Sequence, residues 1–82
     1  MNLTQTEFLL SVPTQDFLAT LFRQSKITGS VQINFVAAKL DISPSEAAQT
    51  IRKLQEMGMI QYEQYGKITL TESGKQYSRH LI

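Results

Sequence analysis

The spacing of apolar residues changes along the chain, and each change marks an expected element. Apolar side chains recur at helical spacing within residues 15–24, and Thr14 stands where it can cap that helix. From residue 60 onward the pattern alternates, which predicts two strands, Ile60–Glu63 and Lys67–Leu70, joined by a three-residue link with glycine. The pattern therefore predicts a helical region followed by a β-hairpin.

The middle of the chain predicts two helices with almost no connection between them. Gly29 begins a turn, residues 31–33 alternate as a short edge strand would, and Asn34 can cap a helix over residues 35–40. Only residues 41–42 separate this helix from the next. Helices joined so closely cross at a steep angle, which predicts a helix-turn-helix unit.

The next helix has clear signals at both ends. Ser43 suits the N-cap, Pro44 the first helical position, and Glu46 the third residue of a capping box. The helix is expected to reach about Met57, with Gly58 as its left-handed terminator.

This helix has a narrow apolar side and a broad polar one. The apolar side is formed by Ala47, Ile51 and Leu54, and the polar side by Ser45, Gln49, Arg52 and Glu56, with Lys53 beside them. Gln49 offers both a donor and an acceptor, as side chains that read base edges in the major groove do. The helix is thus a candidate recognition helix, although a solvated helix face would look similar.

The two ends of the chain complete the expected organisation. Residues 4–7 have capping-box spacing and predict a short helix before Pro13. Thr71 can cap a last helix from Glu72 to the end of the chain. We expect an N-terminal extension at residues 1–12 and a winged helix-turn-helix domain at 13–82, a mainly α (α+β) fold with a small antiparallel hairpin.

Composition narrows the possible functions. The 82 residues suffice for one domain, and eight basic against seven acidic residues give a net charge of +1, which argues mildly against nucleic acid. Absent cysteine excludes disulfides and favours a cytoplasmic protein, and no apolar run is long enough for a membrane span. No enzyme signature, cofactor motif or small-molecule substrate site is evident.

Four segments together resemble a known family. They are "PTQDFLATLF", "VQINFVAAKLDISPSEAAQTIRKLQEMGMI", "YEQYGKITLTESGK" and "QYSRHLI". The chain from about Pro13 to Ile82 resembles the N-terminal DNA-binding domain of the diphtheria-toxin-repressor family, the iron- and manganese-dependent bacterial regulators. The wing and the Leu-Thr-Glu-x-Gly run are its most specific parts.

The resemblance implies where DNA would be contacted. Base contacts would come from Ser43, Ser45 and Gln49, with Thr50 and Lys53 near phosphates and Lys67 on the wing. The helical wheel adds Arg52. Two tyrosines of the hairpin, Tyr62 and Tyr65, could stack on nucleic acid, but cross-strand packing is the favoured interpretation. Glu46 counts against DNA contact because its charge would repel phosphate.

The family's metal site carries over poorly. Asp16 stands where some members place a carboxylate ligand, but the next expected ligand position is Ala19. His80 is out of register with the family histidine. We therefore expect no metal site in this chain, and a carboxylate at Asp16 is explained by the first turn of its helix.

The sequence predicts a bacterial transcriptional regulator that binds double-stranded DNA as a homodimer, with dimer contacts from the N-terminal "LTQTEFLL" or the last helix. Two alternatives stay open. The domain could be a winged-helix protein-interaction module, which its near-neutral charge suits. It could also be the DNA-binding fragment of a longer metal-dependent repressor.

Overall fold

The computed structural model describes residues 10–81, which form a winged helix-turn-helix fold. This confirms the predicted mainly α class with a small antiparallel sheet. The predicted capping box and short helix at residues 4–7 lie outside the described residues. The elements in chain order are α1 (Val12–Thr28), β1 (Val31–Gln32), α2 (Ile33–Leu40), α3 (Pro44–Glu56), β2 (Ile60–Glu63), a 3₁₀ turn (Gln64–Gly66), β3 (Lys67–Leu70) and α4 (Glu72–Leu81).

Helix α1 is longer than predicted at both ends. Ser11, not Thr14, is its N-cap, and the Thr14 amide donates to Ser11 Oγ at 3.3 Å. Pro13 lies in the first turn, where its missing amide donor costs nothing. Helical spacing was recognised only as far as residue 24, but residues 25–28 are also helical, and the helix stops at Gly29, whose φ is 82°.

The strand and helix that follow are displaced slightly from the prediction. Strand β1 ends at Gln32, and α2 already begins at Ile33, so Gln32 rather than Asn34 is its N-cap. Ile33 is partly buried against the core in this helix. An apolar residue at this junction fits both the alternation of a strand and the spacing of a helix. Alternation alone therefore assigned Ile33 to the strand.

Helix α3 agrees with its prediction. The Glu46 amide donates to Ser43 Oγ and the Ser43 amide donates to Glu46 Oε1, both at 3.1 Å, which is a complete capping box. Gly58 follows the helix with a φ of 74°. The three apolar positions expected to face inward are buried: Ala47, Ile51 and Leu54. The end signals in the sequence were sufficient here because both caps are local.

The three strands form one antiparallel sheet in the order β1-β3-β2. The β2–β3 hairpin is the predicted wing, with both strands at the predicted bounds. Its last paired residues are Glu63 and Lys67, so Tyr65 lies beyond the ladder with a φ of 65° and is 92% exposed. The predicted cross-strand packing of Tyr65 is therefore wrong.

A short junction joins the wing to α4. The Thr71 hydroxyl donates to the Gly58 carbonyl at 2.6 Å and accepts from the Gly74 amide at 3.1 Å. The Thr71 amide donates to the Met59 carbonyl at 3.0 Å. These bonds confirm Thr71 as the cap of α4 and fix the helix against the base of the wing.

The core lies between α1, the sheet and the inner sides of the other helices. Its largest fully buried side chains are Tyr77, Phe17, Leu18, Leu21, Leu54, Ile60, Ile68 and Val36. Helix α4 packs along α1, while α3 packs against β2. This arrangement holds α3 by its apolar side and leaves the other side in solvent.

Candidate nucleic-acid interface

The polar side of α3 is exposed. Ser45, Gln49, Arg52 and Lys53 are all exposed, while the opposite side of the helix is buried in the core. Because α3 packs against the core through one side only, its polar side can enter a groove of DNA without any change in the fold. The structure brings these four predicted residues together on one surface.

Two hydroxyls at this surface already take part in hydrogen bonds. Ser43 Oγ accepts from the Glu46 amide, so its own proton is left for an outside acceptor such as a phosphate. Thr50 is half-buried and donates its hydroxyl proton to the Glu46 carbonyl at 3.0 Å. Ser43 can therefore donate to DNA as it stands, whereas Thr50 would first have to leave its bond in the helix.

Glu46, which counts against DNA contact, is turned back by the capping box. Its Oε1 accepts from the Ser43 amide at the start of α3. The side chain is nevertheless exposed, so its charge remains near any phosphate that approaches this end of the helix. The capping box moderates the repulsion without removing it.

The wing lies directly beside α3. Tyr62 of β2 lines a groove of about 160 Å³ together with Arg52 and Gln55 of α3. Sequence reasoning did not select Gln55. It favoured cross-strand packing for Tyr62, which is paired opposite Ile68, is 42% exposed and also lines the groove beside α3. The angle between sheet and helix decides this contact, and alternation along a strand does not encode that angle.

Lys67 is exposed at the first position of β3, on the wing. Its partner across the hairpin is Glu63, and its partner on the other side is Gln32. A carboxylate in the adjoining strand lowers the net positive charge of this part of the wing. The wing is therefore not strongly cationic around Lys67.

Asp16, which stands where some members of the resembled family place a carboxylate ligand, lies at the start of α1. Asp16 and Glu46 both line a groove of about 190 Å³ where the start of α1 meets the start of α3, and Ala19 is buried. Two carboxylates are fewer ligands than a typical metal site needs. Within residues 10–81, no group of three His, Cys, Asp or Glu side chains is placed to hold a metal ion.

The sequence matches the model of one known protein family. Residues 9–68 match the iron dependent repressor, N-terminal DNA binding domain. The chain belongs to this family. Membership is consistent with the exposed α3 and the adjoining wing, and it identifies the chain as a DNA-binding domain of that family.

Known regulators are among the chain's relatives. It is 25% identical over 68 residues to the HTH-type transcriptional regulator MntR of Oceanobacillus iheyensis, a match covering 83% of this chain and 46% of that protein. MntR of Lysinibacillus sphaericus is also 25% identical, with 49% of its length covered. The chain therefore spans about half the length of the curated relatives it matches.

Solved structures share the fold. AF1382 from Archaeoglobus fulgidus superimposes with a TM-score of 0.78 at 24% identity, covering 94% of this chain and 88% of that one. MepR, a transcription regulator of the Staphylococcus aureus multidrug efflux pump MepA, gives a TM-score of 0.76 at 17% identity, covering 94% of this chain and 58% of that one.

In the described part of this chain, no helix is both long and apolar enough to cross a membrane.

Proposed function

We propose that this domain binds double-stranded DNA sequence-specifically, as part of a bacterial transcriptional regulator in the cytoplasm. The observation that carries the proposal is the exposed polar side of α3, flanked by the wing, in a chain of a DNA-binding family. A major groove about 12 Å wide admits an α-helix held in this way.

The exposed residues divide by chemistry into base-reading and phosphate-binding groups. Gln49 can pair bidentately with an adenine, and Ser45 can donate to or accept from either kind of base pair. Arg52 and Lys53 would contact phosphates beside the groove, with Ser43 and Thr50 at its edge. Lys67 would hold the flanking backbone through the wing.

The charge of the interface favours a homodimer. Three cations, Arg52, Lys53 and Lys67, share this surface with three carboxylates, Glu46, Glu56 and Glu63. One copy would bind weakly, because phosphate contacts supply much of the affinity for DNA. Two copies on half-sites about 34 Å apart would double the contacts.

Exposed apolar side chains favour one helix for the proposed dimer contact. The side of α4 that faces away from the core is polar, whereas Val12 and Ile27 of α1 are 67% and 77% exposed. These apolar side chains make α1 a better candidate for the contact than the described part of α4. In a longer regulator, residues beyond this domain could supply the contact instead.

The first test is selection of duplex DNA from a random pool by the 82-residue chain, at low and moderate salt, followed by binding titrations with the enriched site. Replacing Gln49 by alanine should cost about 1–3 kcal/mol at that site and relax specificity at one base pair. Replacing Lys53 should weaken all sequences alike and reduce the salt slope by about 1.

Matched controls come from surfaces away from α3. Gln76→Ala removes an exposed amide from α4, and Arg23→Ala removes an exposed cation from α1. Both should leave operator affinity unchanged. If Gln49→Ala and Lys53→Ala bind the selected site as tightly as these controls do, α3 is not the recognition helix.

A protein-interaction role is the second candidate, and the near-neutral interface favours it. DNA binding through three cations per copy weakens steeply with salt because counterions are released. Failure to enrich any DNA sequence at low salt, while the folded chain captures a protein partner through α3, would support this second role.

A further inference from the structure

A third groove lies between the far end of α1 and helix α4. It has a volume of about 480 Å³ and is lined by Phe22, Ser25, Lys26, Lys75 and Arg79. Among residues 10–81, the five side chains that line the groove include three cations and no carboxylate. On a chain with a net charge of +1, this is an uneven concentration of positive charge.

Local structure explains only part of this concentration. Lys26 and Arg79 lie in the last turns of α1 and α4, where a cation interacts favourably with the helix dipole. Lys75 lies near the start of α4, where the dipole disfavours a cation, and it precedes Arg79 by one turn on the same helix face. Like charges at this spacing destabilise a helix.

The floor of the groove is aromatic. The Lys26 ammonium lies 4.4 Å from the centroid of the Phe22 ring, and Phe22 is otherwise mostly buried. Ser25 donates its hydroxyl proton to the Phe22 carbonyl at 2.9 Å, so it offers acceptors to the groove rather than a donor. Any negative group would therefore be bound by the three cations, beside an apolar ring and the methylene stems of the lysines.

The groove is separate from the proposed DNA surface. Asp16 of α1 lies beside the start of α3, whereas Lys26 lies ten residues further along the same helix. At 1.5 Å per residue, the two positions are about 15 Å apart along the axis. The groove cations are thus not simply an edge of the recognition surface.

We propose that this groove binds a small anionic ligand that carries two negative charges on a flat apolar body. Its volume falls within the range of about 300–1,000 Å³ that small-molecule sites occupy. Two negative charges match Lys75 and Arg79 on one helix with Lys26 across the groove, and the flat body packs along the methylene stems of the lysines, beside the small exposed part of Phe22. Phosphate monoesters and dicarboxylates of aromatic compounds belong to this chemical class.

The test is an amide NMR titration of the ¹⁵N-labelled 82-residue chain with phenyl phosphate at pH about 7.5, where phosphate monoesters are mostly dianionic. We expect saturable shifts at the amides of residues 22–26 and 75–79. Inorganic phosphate, which lacks the ring, and benzyl alcohol, which lacks the charge, should each bind about tenfold more weakly, because each loses one class of contact.

Two double variants that lose the same amount of charge test whether binding depends on the cations of this groove. Lys75→Ala with Arg79→Ala should weaken phenyl phosphate about tenfold or more. Arg23→Ala with Lys39→Ala, which removes two cations from a different groove, should change it less than about twofold. Lys75→Glu alone provides a second variant of the site, and the dispersion of each spectrum reports that the fold is kept.

Three results would overturn the proposal. Shifts spread over the whole surface, or equal losses in the two double variants, would mean general attraction to charge. Absence of any groove shift up to about 10 mM ligand, well above a millimolar dissociation constant, would mean that there is no site. Selected duplex DNA that shifts the same amides and loses affinity in the Lys75/Arg79 variant would make the groove a DNA contact.

Discussion

Replacing Gly74 by alanine should destabilise the domain because the junction between α4 and the wing has no room for a methyl group. A Cβ at this position would lie 2.0 Å from the Met59 carbonyl oxygen and 2.9 Å from its carbon. The same oxygen accepts from the Thr71 amide. Relief therefore requires that α4 move away from the base of the wing, and this movement would break that bond.

The size of the destabilisation follows from how far α4 must move to relieve the clash. An ordinary contact between carbon and oxygen needs about 3.3 Å, so the helix would have to move by more than about 1 Å. Overpacking of this kind costs about 1–3 kcal/mol, against a total stability of about 4–12 kcal/mol for a chain of this length. Without the clash, alanine would instead stabilise the helix by about 0.5–1 kcal/mol, so the sign of the change is diagnostic.

Urea unfolding followed by far-ultraviolet circular dichroism measures the change in free energy of unfolding. Ser73→Ala is the matched control, because Ser73 is exposed and adjacent on the same helix. We expect a lower urea midpoint for Gly74→Ala and little change for Ser73→Ala. A Gly74→Ala protein as stable as the original, or more stable, would refute the account of the junction.

Two further predictions concern DNA binding. Glu46→Gln should keep the capping box, since glutamine can also accept from the Ser43 amide. It should nevertheless raise DNA affinity, because it removes a negative charge from the start of α3. An unchanged affinity would place Glu46 away from the phosphates. The slope of log affinity against log salt should be about −2.7 for one copy, from three cations at about −0.9 each, and about −5 for a dimer; a slope near zero would exclude phosphate binding by these cations.

The sequence determined α3 and the wing closely because their signals are local. Both caps of α3 lie within three residues of the helix ends, and the wing strands are bounded by their own alternation. The Leu-Thr-x-x-Gly run has a structural explanation that was not apparent from sequence. Thr71 joins the wing to α4 through two hydrogen bonds of its hydroxyl, and Gly74 permits the close approach.

The errors arose where tertiary structure decides. Thr14 was interpreted as the N-cap of the first long helix, yet it lies inside the first turn of α1, which is capped by Ser11. Tyr65 was expected to pack across the hairpin, but the ladder ends before it and its left-handed backbone turns it into solvent. The α1–α4 groove combines residues about 50 positions apart, so no local pattern could indicate it.

The distribution of charge resolves the apparent conflict between a net charge of +1 and a DNA-binding family. The eight basic residues divide among three surfaces: three at the proposed DNA interface, three in the α1–α4 groove, and two, Arg23 and Lys39, around Ile27 and Phe35. At the interface, three carboxylates balance the cations. At the proposed interface, general attraction to DNA would therefore be weak, and hydrogen bonds from α3 to bases would supply a larger share of the affinity than in strongly basic domains. Such a domain would gain discrimination between sequences because its non-specific binding is low, and for the same reason it would need a second copy to reach useful affinity.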